Sequence, residues 1–549
     1  MTLLCVPILA DDPAIARRDA ILAAEKGADI VEYRVDLLME LEEPLESRID
    51  RIKALVADSP LPCILTCRPE WEGGLYTGPE DERVSMFEAL GTADHPPAYI
   101  DVELKAYTAS PNIRQKINLA VDHPKQQRAV RTRLILSTHD FQSRPADLTR
   151  RILAMHDEPA CAIVKIAYRA RSIRDNLELF DILAERQKPT IALAMGEHGL
   201  MSRVLAPKFG AFLTFASLRD ESATAPGQPT IDDLLNLYRF RSIKPTTKVY
   251  GVIGWPVAQS MSPLIHNAGF ESIGFDGVYL PLPIAADPND PESTAISLRA
   301  TFAALVTHGA LNFAGASVTV PHKELILQDS ALEDIGPWNI YDIGAANTLH
   351  RHAYDPNRPD EHLWQAANTD AAAISTLLDD EFGSIRDKRI AIIGAGGAAR
   401  AAAYVSATRG ARVTIYNRNA DRAKSLAASL NKLDLDQEIT AAASDTLPTS
   451  HADLYINCTP LGMTAGPDPD ALAIPIPDMP NLSPDTVFFD TVYNPPETPM
   501  LREARARGYR TIDGVQMFVK QAAAQFQLWT NHPAPTDLFD RLVRQRLAH

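Results

Sequence analysis

Residues 161–170, CAIVKIAYRA, form an apolar run of strand length with one lysine, Lys165, at its centre. An ammonium is costly to bury unless it is paired or deprotonated. Taken alone, the segment reads as a strand whose end reaches water, with the lysine snorkelling. The neighbouring segments change that reading. Seven further runs of the same kind precede or follow it: LLCVPI, DIVEYRVD, PCILTC, AYIDVEL, RLILSTHD, PTIALAMG and GAFLTFAS. Amphipathic stretches long enough for a helix and two turns separate them. Near-continuously apolar strands alternating with helices predict a parallel sheet. Eight within about 240 residues predict a closed (β/α)8 barrel.

The chain has 549 residues, too many for one ordinary core. After the eighth run, TAPGQPTIDDLLNLYRFRSIKPTTK leads out of the barrel, and a second α/β rhythm begins at VYGVIGWPV. The predicted domains are a barrel over 1–240, a second-half substrate lobe over 246–370, a Rossmann lobe over 371–520, and a helical segment over 521–549 returning to the substrate lobe. A net charge of −16 argues against nucleic-acid or anionic-membrane partners and leaves small anionic substrates open. The five cysteines (Cys5, Cys63, Cys67, Cys161, Cys458) have no zinc-finger spacing with each other or with histidine. Buried free thiols and no metal are expected. The N-terminal residues lack a basic leader and carry Asp11 and Asp12, and no apolar run has membrane-spanning length. The expectation is a soluble, cytoplasmic protein, with a processed mature chain left open.

Barrel active sites lie at the C-terminal ends of the strands. There the runs place Glu32 and Arg34, Arg68 followed by Glu72, Asp101 and Glu103, His139 and Asp140, and Lys165. Lysine among apolar walls and arginines suggests an amine freed by desolvation and nearby positive charge to attack a ketone. The iminium then acidifies the adjacent C–H, and His139 is the natural base and later acid. Glu72 would orient that imidazole. Arg34, Arg68 and Arg203 suit a carboxylate-bearing substrate.

VEYRVDLL, TCRPEWEGG, LSTHDF, VKIAY, MSR and TAPGQPT, in this order, resemble the type I 3-dehydroquinate dehydratases over roughly the first 235 residues. The resemblance implies Lys165 as Schiff-base former, His139 as general acid/base and Glu72 as its assistant. It also implies substrate contacts from Glu32, Arg34, Arg68, Met195, Arg203, Thr224 and Gln228. Thr224 stands where the family carries serine.

In the second half, GAGGAAR has the G-x-G-x-x-A spacing of a dinucleotide turn, with Gly394, Gly396, Gly397 and Ala399 between a strand and an Ala-rich helix. The following strand, RVTIYN, ends in Asn417 and Arg418, with Arg422 beyond, instead of the acid that binds ribose hydroxyls. This predicts NADP(H) as cofactor. GVIGWPVAQSMSPLIHN, SVTVPHKE, GAANTL, ANTD, NCTPLGM, DTVYNPPETPML and GVQMFVKQA resemble shikimate dehydrogenase over about 246–549. The resemblance implies catalysis by Lys323 and Asp370, and substrate contacts from Ser260, Ser262, Thr319, Asn347 and Gln521. It implies cofactor contacts from Thr459, Met463, Tyr493, Gly514 and Met517. Ser317 replaces the asparagine of many relatives, and Trp255 and Met261 are unusual in the serine motif. Joined, the resemblances imply a bifunctional shikimate-pathway enzyme in the domain order known from plants, acting on 3-dehydroquinate, 3-dehydroshikimate and shikimate. Rival readings are a class I aldolase-like barrel with a quinate dehydrogenase, and a non-catalytic regulator that senses these acids.

Overall fold

A computed structural model describes residues 1–124, 131–220, 227–328, 332–352, 364–464, 466–479 and 482–548. The chain divides into two compact units, one of Met1–Thr247 with Thr307–Asn312, the other of Lys248–Val306 with Phe313–His549.

All eight apolar runs of the first unit are strands: β1 (Leu3–Leu9), β2 (Ile30–Arg34), β3 (Cys63–Thr66), β4 (Tyr99–Glu103), β5 (Arg133–Asp140), β6 (Cys161–Arg169), β7 (Thr190–Met195) and β8 (Leu213–Phe215). They pair in parallel in the order β7-β6-β5-β4-β3-β2-β1-β8. β8 is short, and a Phe212 N–H to Thr190 carbonyl bond of 2.8 Å joins the two ends of the sheet. This is the expected barrel.

Because strand side chains alternate between faces, the interior can be read every second residue. Successive strands supply Ile30-Glu32-Arg34, Ile64-Thr66-Arg68, Tyr99-Asp101-Glu103, Ile135-Ser137-His139, Ile163-Lys165-Ala167 and Ile191-Leu193-Met195. The first residue of each set packs into the buried interior cluster with Cys5, Leu213 and Phe215. An isoleucine-rich floor therefore fills the N-terminal end, and polar groups stand on it toward the C-terminal end. Lys165 is not snorkelling; it is 4% exposed.

The second unit has two sheets. The first is mixed: β9 (Lys248–Gly254), β10 (Gly277–Pro283), β11 (Phe313–Val318), β12 (Leu332–Asp334), β13 (Thr348–Arg351) and β14 (Trp364–Ala367), in the order β10-β9-β11-β13-β14-β12. β13 runs antiparallel to both neighbours. The second is all parallel: β15 (Arg389–Ile393), β16 (Arg412–Asn417), β17 (Thr440–Ala443), β18 (Leu454–Asn457), β19 (Val487–Asp490) and β20 (Arg510–Ile512). Its order, β17-β16-β15-β18-β19-β20, is the doubly wound 3-2-1-4-5-6 arrangement, which binds ligands where the order reverses, beside β15. Helices Thr369–Phe382 and Gly514–Thr530 pack on each other. Cuts at 370 and 520 therefore fall inside helices, because both elements carry a buried face that the core needs intact. Among the described residues, no helix is long and apolar enough to cross a membrane.

Candidate active sites

At the centre of the barrel the Lys165 ammonium contacts Asp101 Oδ2 at 2.7 Å and Glu32 Oε1 at 3.3 Å, and lies 4.7 Å from the Phe215 ring centroid. This corrects one expectation: the immediate charged neighbours of Lys165 are carboxylates, and arginine stands one step behind them. Asp101 Oδ1 receives Arg68 Nη2 at 2.9 Å and Ser137 Oγ at 2.6 Å. Although burial opposes it, the Arg68 guanidinium and the Lys165 ammonium hold the Asp101 carboxyl well below the usual range.

His139 follows Ser137 by two residues on the same face of β5. Its backbone N–H donates to Glu72 Oε1 at 2.8 Å, and its Nδ1 lies 3.1 Å from the same oxygen. Burial, then the charges of Arg68 and Lys165, push the imidazole well below its ordinary value, so the ring is a neutral base. Burial raises Glu72 to about 7 against the pull of Arg68. The two titrations are thus set apart by environment, as acid–base work requires.

The three arginines expected to meet a carboxylate differ. Arg34 is paired with Asp36, with Nη2 to Oδ2 at 2.5 Å. Arg68 is paired with Asp101 and with Glu103, the latter at 2.6 Å. Arg203 is 1% exposed, and its Nε and Nη2 have no hydrogen-bond partner among the described residues. Burial alone pushes its guanidinium down to about 10. A buried cation without a counter-charge is costly, and an incoming carboxylate would relieve that cost.

In the second unit, Lys323 stands on the short helix His322–Leu325 after β11, and Asp370 is in the first turn of helix Thr369–Phe382, where the helix dipole favours an anion. Lys323 Nζ meets Asp370 Oδ2 at 2.5 Å, and Asn347 Nδ2 donates to Asp370 Oδ1 at 2.9 Å. The Asn347 oxygen accepts from Thr348 Oγ1 and from the Thr369 N–H, each at 2.8 Å, which fixes the amide's orientation. Ser262 opens helix Ser262–Ser272, and its N–H donates to Ser260 Oγ at 3.2 Å.

The turn after β15 fits a dinucleotide. Gly394 has φ +119°, a conformation glycine adopts freely, and a Cβ on Gly396 would meet nothing within 4 Å, leaving the backbone open to a pyrophosphate. Ala399 is fully buried in helix Gly397–Thr408. Asn417 spends its Nδ2 on the Asn419 carbonyl, while Arg418, after β16, and Arg422, in the first turn of helix Ala420–Leu430, are exposed.

Residues 4–245 match the type I 3-dehydroquinase family. Residues 252–349 match the shikimate dehydrogenase substrate binding domain, 376–459 the shikimate / quinate 5-dehydrogenase family, and 514–544 the shikimate 5'-dehydrogenase C-terminal domain. A bifunctional 3-dehydroquinate dehydratase/shikimate dehydrogenase, chloroplastic, from Arabidopsis thaliana is 37% identical over 99% of this chain and 84% of its own. The chain belongs to the bifunctional 3-dehydroquinate dehydratase/shikimate dehydrogenase family. A shikimate dehydrogenase (NADP(+)) of Methanocella arvoryzae is 36% identical over 54% of this chain and 99% of its own. A solved dehydroquinate dehydratase and shikimate dehydrogenase from S. pombe is 22% identical with a TM-score of 0.40, covering 99% of this chain and 98% of that one.

Of the dehydratase residues expected from sequence, Lys165, Glu32, Arg68, His139 and Glu72 come together, and Met195 and Gln228 are buried. Thr224 lies outside the described residues. Asp101 and Glu103, placed at the site end of β4 by the sequence without a role, join this network; Ser137 was missed, and its signal was the two-residue spacing before His139 on β5. Of the shikimate dehydrogenase residues, Lys323, Asp370 and Asn347 form one network, while Thr319 is half-buried beyond β11. Gln521 Nε2 donates to the Phe518 carbonyl of its own helix. Gln525, also missed, accepts from Ser317 Oγ at 2.8 Å and donates to Thr348 Oγ1 at 3.0 Å, tying helix Gly514–Thr530 to Asn347. Tyr493 stacks on Phe518, with ring centroids 4.6 Å apart, and Met517 is buried. A Cβ on Gly514 would lie 2.1 Å from the Val492 carbonyl, so this glycine serves close backbone packing. Thr459 donates its hydroxyl to Asn457 Oδ1 at 2.7 Å, beside Met463 in the same loop. Among the described residues, no cluster of three or more His, Cys, Asp or Glu side chains is arranged to hold a metal.

Proposed function

We propose that the barrel dehydrates 3-dehydroquinate to 3-dehydroshikimate through an imine on Lys165, and that the second unit reduces 3-dehydroshikimate to shikimate with NADPH. The observation that carries this reading is the pairing, within each unit, of a lysine with an aspartate: buried Lys165–Asp101 near His139, and half-buried Lys323 with Asp370, held by Asn347. In the barrel, Arg203 is the side chain assigned to the substrate carboxylate. The deprotonated Lys165 amine adds to the ketone carbon and water leaves. The iminium acidifies the neighbouring C–H, neutral His139 takes that proton, and it returns it to the departing hydroxyl. Water then hydrolyses the product imine to release 3-dehydroshikimate and the Lys165 amine. Glu72, bound to both the backbone N–H and Nδ1 of His139, holds the ring for both transfers.

In the second unit, bound NADPH supplies the hydride. Gly394, Gly396 and Gly397 are assigned to its pyrophosphate, and Arg418 and Arg422 to its 2′-phosphate. Ser260 and Ser262 are assigned to the substrate carboxylate, and Asn347 and Gln521 to ring hydroxyls. Lys323, paired to Asp370, delivers the proton to the ketone oxygen. The test gives the chain 3-dehydroquinate with NADPH, and with NADH in parallel. Nicotinamide oxidation with shikimate as product is expected, faster with NADPH. Accumulation of the enone without nicotinamide oxidation would sink the reductase half of the reading, and binding of the acids without turnover would sink both halves.

A further inference from the structure

A line of alternating buried charges runs from the helix layer of the first unit into the barrel. Arg83, fully buried on helix Glu80–Gly91, commits its guanidinium on every side. Its Nη1 donates to Glu103 Oε2 at 2.7 Å and to the Cys67 carbonyl at 2.8 Å, while Nη2 and Nε take the two oxygens of Glu80. The other oxygen of Glu103, also fully buried, receives Arg68 Nη1 at 2.6 Å. Arg68 reaches Asp101 with Nη2, and Asp101 reaches Lys165. Arg83 touches neither Lys165 nor any group assigned to the reaction, yet it shares Glu103 with Arg68.

We propose that Arg83, acting through Glu103, is a positioning residue of the dehydratase centre: it divides the Glu103 charge and so keeps Arg68 engaged on Asp101, in competition with Lys165. The inference rests on the dehydratase reading above. Without Arg83, Glu103 draws on Arg68 alone, Asp101 turns its charge to Lys165, and the ammonium is held more firmly. Without the Glu103 charge, Arg68 presses on Asp101, and the Lys165 amine is freed more easily. The titratable and charged groups around Lys165 are Glu32 from β2, Arg68 from β3, Asp101 from β4, His139 from β5 and Cys5 from β1, with the Phe215 ring from β8. None of these residues is itself substituted in the Arg83 and Glu103 variants.

The test traps the imine with borohydride. Lys165 loses a proton, its lone pair adds to the ketone carbon of 3-dehydroquinate, water leaves, and borohydride delivers hydride to the imine carbon to give a secondary amine. The adduct at Lys165 is measured by mass spectrometry across pH in the full chain. Arg83→Met should move the trapping midpoint up by about one pH unit, and Glu103→Gln should move it down by about one unit. The double variant, with no net change of charge, should lie near the unaltered chain. Thermal unfolding and protease resistance of the same preparations report folding of the barrel. If Arg83→Met does not fold, the isosteric Glu103→Gln and the double variant still decide the matter. Coincident midpoints in folded variants, or single variants that shift the same way, would overturn the proposal. Absence of any adduct in the unaltered chain would instead remove the dehydratase reading beneath it.

Discussion

Arg203 shows how a single side chain exchanges stability for binding. Its buried guanidinium leaves two nitrogens without a partner among the described residues. Arg203→Met should therefore raise the stability of the ligand-free barrel by about 1–3 kcal/mol, the scale of an unmatched buried polar group. The same change should lower kcat/KM for 3-dehydroquinate by about 100-fold or more, as expected when a charge-assisted pair is lost. Thermal unfolding and steady-state dehydration measure the two effects. A variant that is both less stable and fully active would show that Arg203 is a structural group. Asp490 makes the corresponding case for pH. It accepts from Asn457 Nδ2, the Val492 N–H and Thr498 Oγ1, and burial raises it from 3.8 to about 6. A carboxyl raised on folding contributes stability that is fully present below its unfolded value and lost as pH climbs through the folded one. Relative to Asp490→Asn, the unaltered second unit should lose up to about 3 kcal/mol between pH 4 and pH 7. Denaturant unfolding of both proteins across that range measures it, and a difference independent of pH would show that Asp490 stays ionised in the fold.

Among the elements, the β15 turn and helix Gly397–Thr408 do more than present amides to a phosphate. A Cβ on Gly397 would lie 2.9 Å from Lys323 Cδ and 3.2 Å from its Cβ. The absence of a side chain at that first helical position thus gives the lysine stem the room it occupies when paired to Asp370. Gly397→Ala should shift Lys323 by a few tenths of an ångström and reduce reductase kcat by about 10–100-fold, since small misplacements of a proton donor are costly. Dehydration in the same chain should be unchanged. An increase confined to the KM of the nicotinamide would show that the glycine serves the cofactor and not the lysine. The β5 and β6 strands express a parallel economy. Ser137 pairs in register with Lys165, and His139 with Ala167, so base and amine stand on adjacent strands of one interior face.

For the whole molecule, the described groups assigned to dehydration lie in the first unit and those assigned to reduction in the second. Lys165→Ala should abolish dehydration and leave reduction of 3-dehydroshikimate intact, and Lys323→Ala should do the reverse. Neither variant alone should convert 3-dehydroquinate to shikimate. Mixed in one cuvette, the two should restore conversion through free 3-dehydroshikimate, seen as nicotinamide oxidation. Failure of the mixture, with each half-reaction intact in its own variant, would mean that the intermediate is not released to solution.

The sequence by itself determined the two architectures and most of the site. Strand runs of near-continuous apolar character, the period-two polar residues at their ends and the Gly394–Ala399 spacing are local patterns, and local patterns survive in one dimension. What only the tertiary structure decided is which charges meet. Sequence spacing placed Asp101, Glu103, Arg68 and Lys165 on neighbouring strands, but not the pairing of Lys165 with Asp101 in place of an arginine. It could not separate Arg203, left without a counter-charge among the described residues, from Arg34 and Arg68, which are neutralised by Asp36, Asp101 and Glu103. Nor could it reveal that Gly397 makes room for a lysine 74 positions away in the chain. Direct charge pairing and steric contact are decided over a few ångströms, and separation along the chain says nothing about distances that short.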